Sequence, residues 1–131
     1  MQNANIISYI AVFIGGGAGS VCRYAAGLLT KARFGHAFPI GTLIVNLLGC
    51  LAIGYLGARF ERIHIAQIPQ EARDLCLIGV LGGFTTFSAF GYETIGLFRN
   101  GAWGAAVGNV VLNVVLGIGL AWLGFWLGRR F

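Results

Sequence analysis

Four long apolar segments, separated by short polar links, dominate the chain. They run from about residue 6 to 29, 38 to 60, 75 to 98 and 101 to 128. A transmembrane helix needs about 20 predominantly apolar residues, and each segment meets that length. The pattern predicts an all-α membrane protein: residues 1–131 form one unit of four transmembrane helices in the lipid bilayer, without a soluble domain.

The third apolar segment contains a stretch that disfavours a continuous helix, Gly82-Gly83-Phe84-Thr85-Thr86-Phe87-Ser88-Ala89-Phe90. Adjacent glycines are poor helix formers, and hydroxyl side chains compete for backbone hydrogen bonds. Hydrocarbon holds no water to satisfy a broken backbone, so such a break is tolerated only where protein covers it or a cavity adjoins it. We therefore predict a broken third helix with an ion or substrate site at the break.

Composition and charge narrow the function classes. The chain is 57% hydrophobic and 10% charged, with a formal net charge of +5, whereas soluble domains have about 25% charged residues. Its cations are scattered between apolar segments and do not cluster on a soluble face, which argues against nucleic-acid binding. No nucleophile–base pair or metal-binding motif is present in the sequence, so we expect no enzyme.

The loop cations leave the membrane orientation open. Five arginines fall on one side of the predicted topology and three cations on the other: Arg59, Arg62, Arg73, Arg129 and Arg130 against Lys31, Arg33 and Arg99. This bias is weak by the positive-inside rule. Both a fixed topology with both termini inside and a dual topology with antiparallel pairing are compatible with it.

Small residues four apart in the first helix, Ala11, Gly15 and Gly19, predict a close helix-packing face. Four helices also leave little room for a pore within one subunit, which favours a homo-oligomer.

Several polar and aromatic residues share helix faces inside the predicted membrane. Each pair is spaced by one helical turn: Thr42 with Asn46, Phe87 with Phe90, and Asn109 with Asn113. A single membrane asparagine is most simply explained as a hydrogen bond between helices. Three of them beside a broken helix favour a lined pathway instead.

The lining chemistry favours a small anion. Amide and hydroxyl groups can replace the water around an anion, aromatic ring edges carry positive partial charge, and a half-helix starting near Thr86 would direct its positive end at the midplane. Exposed carbonyl oxygens of the break could instead hold a cation. The two charges nearest the interior are Arg23 and Glu93. We expect them to pair with each other or to extend to the interface, with attraction of anions at a vestibule as the alternative.

Two other functions are compatible with the pattern. A proton-coupled small four-helix exporter needs a membrane carboxylate, and Glu93 is the only candidate because the first, second and fourth helices contain no acidic residue. A membrane scaffold that transports nothing is the second possibility.

The motifs resemble those of the Fluc (CrcB) family of fluoride channels over essentially the whole chain. The matching stretches are Gly15 to Ser20 with Arg23, Gly41 to Gly49, and Gly82 to Phe90. The resemblance implies an antiparallel, dual-topology homodimer in the cell inner membrane that exports fluoride passively and lowers its cytoplasmic concentration.

The same resemblance implies roles for individual residues. Backbone carbonyls of Gly82 and Thr85 from both subunits would hold a central structural sodium ion. Fluoride would meet Phe87, Phe90 and Asn46, with Thr42 nearby and Ser88 as a weaker contact. Asn109 and Asn113 would form a polar track, whereas Gly117 stands where the family often has a hydroxyl and receives no role.

Overall fold

The computed structural model describes residues 5–62 and 68–131, and those residues form an all-helical structure. The helices of membrane-spanning length are α1 (Ile6–Phe34), α2 (Ile40–Arg62), α3 (Gln70–Arg99) and α4 (Trp103–Arg130). All four are apolar enough to cross a membrane. The prediction of an all-helical chain with four helices able to span a membrane is therefore confirmed.

The first helix extends further than its apolar segment. Lys31 and Arg33, which the sequence suggested as part of a polar link, lie in the last turn of α1. Cations at this position are favourable because they face the negative end of the helix dipole. The helix ends at Gly35, whose φ of 76° favours glycine and whose N–H donates to the Lys31 carbonyl at 2.9 Å.

The third span is broken at the predicted place. Residues 70–84 form its first half, α3a, and Phe87–Arg99 form its second half, α3b. Between them Thr85 and Thr86 are extended, with ψ angles of 161° and 121°. The Thr86 hydroxyl caps α3b by accepting a hydrogen bond from the Ala89 N–H at 3.2 Å. A new helix therefore begins next to Thr86, as predicted.

Glycines bring α1 and α3a into backbone contact. Gly15 and Gly19 of α1 are buried, and a Cβ added at Gly15 would lie 2.6 Å from the Leu75 carbonyl oxygen. A Cβ at Gly19 would lie 2.7 Å from the Phe84 nitrogen. The predicted packing face of α1 is thus confirmed, and it supports the half-helix that leads into the break.

Glycines also bring α2 and the last part of α4 into backbone contact, and each of these two contacts is called a glycine seam below. Cβ atoms added at Gly54 and Gly124 would collide with backbone oxygens of the opposite helix, those of Ala121 and Leu51 respectively. Gly128, further along α4, meets Ala58. Residue numbers rise together along this seam, so α2 and α4 run parallel.

Most of the apolar surface faces outward. Only 11% to 17% of the most apolar stretch of each span is buried within the chain. Outward apolar side chains suit a lipid environment, where burial within one chain is not the main source of stability.

We predict that Gly54→Ala will destabilise the protein, whereas Gly57→Ala on the same helix will not. A Cβ at Gly54 would collide with the Ala121 carbonyl oxygen, while nothing lies within 4 Å of a Cβ at Gly57. The expected loss is about 1–3 kcal/mol, typical of overpacking. Thermal unfolding in detergent measures the stability of both variants. Equal stability of the two would contradict close packing of α2 against α4 at Gly54.

Candidate functional site

Asn46 forms hydrogen bonds to the backbone of the break. Its Nδ2 donates to the Thr86 carbonyl at 3.1 Å, and its Oδ1 accepts from the Thr86 N–H at 2.8 Å. In an uninterrupted helix that N–H would donate to the Gly82 carbonyl. Thr86 is buried, with 9% of its surface exposed. The amide of Asn46 therefore replaces backbone hydrogen bonds that the break removes.

The three predicted asparagines form one hydrogen-bonded network across α2, α3 and α4. Asn46 Nδ2 also donates to Asn113 Oδ1 at 2.9 Å, and Asn113 Nδ2 donates to the side-chain and backbone oxygens of Asn109 at 2.9 and 3.0 Å. Asn109 is fully buried. Asn113 lies in a π-helical stretch of α4, Leu112–Leu116, and such wide turns are common at functional sites.

Thr94 of α3b ends this network, although the sequence analysis did not single it out. Asn109 Nδ2 donates to Thr94 Oγ1 at 2.8 Å, and Thr94 Oγ1 donates to the Phe90 carbonyl at 2.7 Å. The position of Thr94 one turn after Phe90 could have predicted its bond to the Phe90 carbonyl, because a threonine inside a helix often donates to the carbonyl four residues back. That spacing does not reveal the partner of Thr94 on another helix.

Phe87 and Phe90 lie side by side next to the asparagines. Their ring centroids are 5.4 Å apart and the ring planes are inclined by 58°. Phe90 is buried with 7% exposed, whereas Phe87 is 81% exposed. Both line a cavity of about 490 Å³ that Asn46 and Asn113 also line. The structure thus brings the predicted aromatic and amide residues to one cavity that opens at the surface of the chain.

Gly117 lies in the wall of the same cavity, one turn beyond Asn113. It is buried, and a Cβ at this position would lie 3.4 Å from the Cys50 sulfur. The polar track of α4 therefore ends at Asn113, and a close contact with α2 follows it.

A second cavity, of about 610 Å³, adjoins the other side of the break. Arg23, Thr42 and Glu93 line it, and Thr86 lines both cavities. Thr42 therefore opens onto a different cavity from Asn46, its predicted neighbour on α2. Ser88 is exposed near the break, with its hydroxyl 3.3 Å from that of Thr86.

Arg23 and Glu93 do not pair with each other, which was one of the alternatives for these two charges. The Arg23 guanidinium donates to the Thr85 carbonyl at 3.2 Å and contacts the Ser20 hydroxyl at 3.5 Å. Glu93 has a buried Oε2 without a hydrogen-bond partner in the described residues. The Ala89 N–H donates to the Thr86 hydroxyl and not to the Thr85 carbonyl, which leaves that carbonyl available to the guanidinium.

Within residues 5–62 and 68–131, no group of three His, Cys, Asp or Glu residues could hold a metal ion. Backbone oxygens at the break are another kind of ligand for a cation. The Thr86 N–H is diverted to Asn46, so the Gly82 oxygen lacks its helical donor, and the Thr85 oxygen already accepts from Arg23.

Comparison with known proteins connects this arrangement to one family. Residues 10–125 match the family described as CrcB-like protein, Camphor Resistance (CrcB). A protein of Desulfotalea psychrophila is 43% identical over 126 residues, which cover 96% of this chain and 95% of the relative. A protein of Coxiella burnetii is 44% identical over 124 residues, covering 95% and 99%. Both relatives are named fluoride-specific ion channel FluC.

Proposed function

This chain belongs to the CrcB family, and on that basis we propose that it is a fluoride-selective channel through which fluoride leaves the cytoplasm passively. The family consists of ion channels and not enzymes, which confirms the expectation that the chain is not an enzyme. It is a multi-pass membrane protein, consistent with the cell inner membrane. The observation that carries the proposal is the broken helix with amide and aromatic groups gathered at one cavity.

The lining groups have the chemistry that a small anion requires. The ring edges of Phe87 and Phe90 carry positive partial charge, and the tilt between the rings allows edges from both to face one point. The positive end of α3b starts at Phe87. Many weak donors of this kind can replace the water of a strongly hydrated ion without binding it too tightly.

Asn46 would donate to fluoride by exchanging a partner. Both of its N–H groups already donate, one to Thr86 and one to Asn113. An anion entering the cavity would replace one of these carbonyl oxygens, and the oxygen would return when the anion leaves. Because one hydrogen bond is exchanged for another, the net gain is small, as conduction requires.

The proposed path runs through both cavities. Fluoride would enter the cavity lined by Arg23 and Thr42, where the guanidinium attracts anions. It would pass the break at Thr86, with Ser88 as a weaker contact, and reach the cavity of Phe87 and Asn46. The track of Asn109 and Asn113 would support the donors there.

A second copy of the chain would complete the proposed path. Phe87 extends outward from its cavity with 81% of its surface exposed, and the apolar faces around it are unburied in one chain. An antiparallel homodimer with dual topology would cover these faces and create two equivalent pathways.

The break also suits a structural sodium ion. Uncharged carbonyl oxygens of unwound helices are typical sodium ligands, and the oxygens of Gly82 and Thr85 fit that description. A carbonyl oxygen has two lone pairs, so Thr85 can accept from Arg23 and still bind a cation. When bound, sodium would join the breaks of the two subunits as a clamp.

The first experiment is fluoride release from liposomes that contain the purified protein, followed with a fluoride electrode. Potassium and valinomycin balance the charge, and chloride-loaded liposomes are the control. We expect rapid release of fluoride and little release of chloride, unaffected by a proton ionophore. Release that requires an imposed proton gradient would support the exporter with Glu93 instead, and no release from folded protein would contradict both.

Replacing either phenylalanine of the cavity tests the lining. Phe87→Ile and Phe90→Ile keep an apolar side chain but remove the ring edges, so we expect fluoride release to fall at least about tenfold, or about 1.4 kcal/mol. Phe34→Ile, at the exposed end of α1, is the matched control. Size-exclusion chromatography should show unchanged assembly, and normal release by both cavity variants would contradict this assignment.

Sodium removal tests the clamp. Protein purified with N-methylglucamine or potassium in place of sodium should show weaker dimers by light scattering. A sodium concentration 100 times its dissociation constant would contribute about 2.7 kcal/mol. Dimers of equal stability in all three cations would rule out a sodium clamp at Gly82 and Thr85.

A further inference from the structure

The asparagine network has a direction, and the backbone of the break sets it. The Thr86 N–H must face an acceptor and the Thr86 carbonyl must face a donor, so the Asn46 amide has one possible orientation. Asn46 then directs its second N–H at Asn113 Oδ1, and Asn113 directs its own N–H groups at Asn109. Each amide therefore donates toward the next, away from the break.

A network with this direction must end on an acceptor. Asn109 is the last amide, and its Nδ2 points at Thr94. The Thr94 hydroxyl gives its proton to the Phe90 carbonyl, so its oxygen has lone pairs available for Asn109. Asn109 is 0% exposed and Thr94 is 7% exposed, so water does not compete for either group. The orientation of the three asparagine amides is consequently fixed at both ends of the network, by Thr86 and by Thr94.

We propose that Thr94 is a positioning residue for the anion path. This inference rests on the proposed fluoride channel. It orients the Asn109 amide, whose Oδ1 accepts from Asn113, and so keeps Asn113 Oδ1 facing the second N–H of Asn46. Without the Thr94 oxygen, Asn109 can turn its amide over, and Asn113 then keeps only the backbone oxygen of Asn109 as an acceptor. The Asn113 amide is then free to turn as well, and the second N–H of Asn46 loses the Oδ1 that holds it in position for exchange with fluoride.

The second effect of Thr94 concerns the aromatic residues. Its hydroxyl bonds to the carbonyl of Phe90, whose ring lies 5.4 Å from that of Phe87. One side chain thus connects the amide donors of α2 and α4 to the aromatic donors of α3b. This link explains why a residue outside the cavity lining affects both kinds of donor.

The test compares three variants in the whole chain. Thr94→Val keeps the shape and removes the hydroxyl, Thr94→Ser keeps the hydroxyl, and Ser8→Ala is the control. Ser8, near the start of α1, also has a buried hydroxyl, but it lines neither of the two cavities. Initial fluoride release is measured at increasing internal fluoride, which separates maximal rate from half-saturating concentration. Chromatography and thermal unfolding confirm that each variant is folded.

We expect Thr94→Val to reduce maximal release about fivefold to tenfold, as loss of one buried hydrogen bond predicts. Thr94→Ser and Ser8→Ala should stay within about twofold of the unmodified protein, well below that loss. Equal loss in Thr94→Val and Ser8→Ala, or no rescue by serine, would overturn the inference while leaving the channel intact. Absence of release from the unmodified protein would instead overturn the proposed function, and with it this inference.

Discussion

The structure depends on two hydrogen bonds between Asn46 and the backbone of Thr86. An unsatisfied backbone group costs several kcal/mol in hydrocarbon, so a broken helix can persist there only if other groups replace the lost bonds. Asn46 does this with one donor and one acceptor, the same pair that a neighbouring peptide unit would offer. By replacing the lost backbone hydrogen bonds, Asn46 stabilises the break. The positive end of α3b and the two cavities adjoin that break.

The groups that stabilise the break are also those suited to contact an anion. Asn46 and Asn113 commit their N–H groups to protein oxygens, so the resting site is satisfied and no bare donor is left in an apolar setting. In the proposed channel, such a site would resist collapse and bind an anion weakly. Stability of the fold and ease of transport would then depend on the same hydrogen bonds, and a change in one of these residues would affect both.

Much of the fold was predictable because its signals are local. Segment length predicted the four spans, and the glycines and threonines between Gly82 and Phe90 predicted the break. Residue spacing also grouped Asn109 with Asn113 and Phe87 with Phe90. The sequence could not reveal that Arg23 binds the Thr85 carbonyl rather than Glu93, or that Thr94 accepts from Asn109. Those contacts depend on how separate helices are packed, which periodicity along one helix does not encode.

The two glycine seams have a consequence for the order of assembly. α1 packs on α3a and α2 packs on α4, so each glycine seam joins a helix to the helix after next in the chain. During synthesis the α1 seam can close only after α3a is made, and the α2 seam only after Gly124 and Gly128 of α4 are made. A chain truncated before α4 would thus keep the small-residue face of α2 uncovered in the lipid.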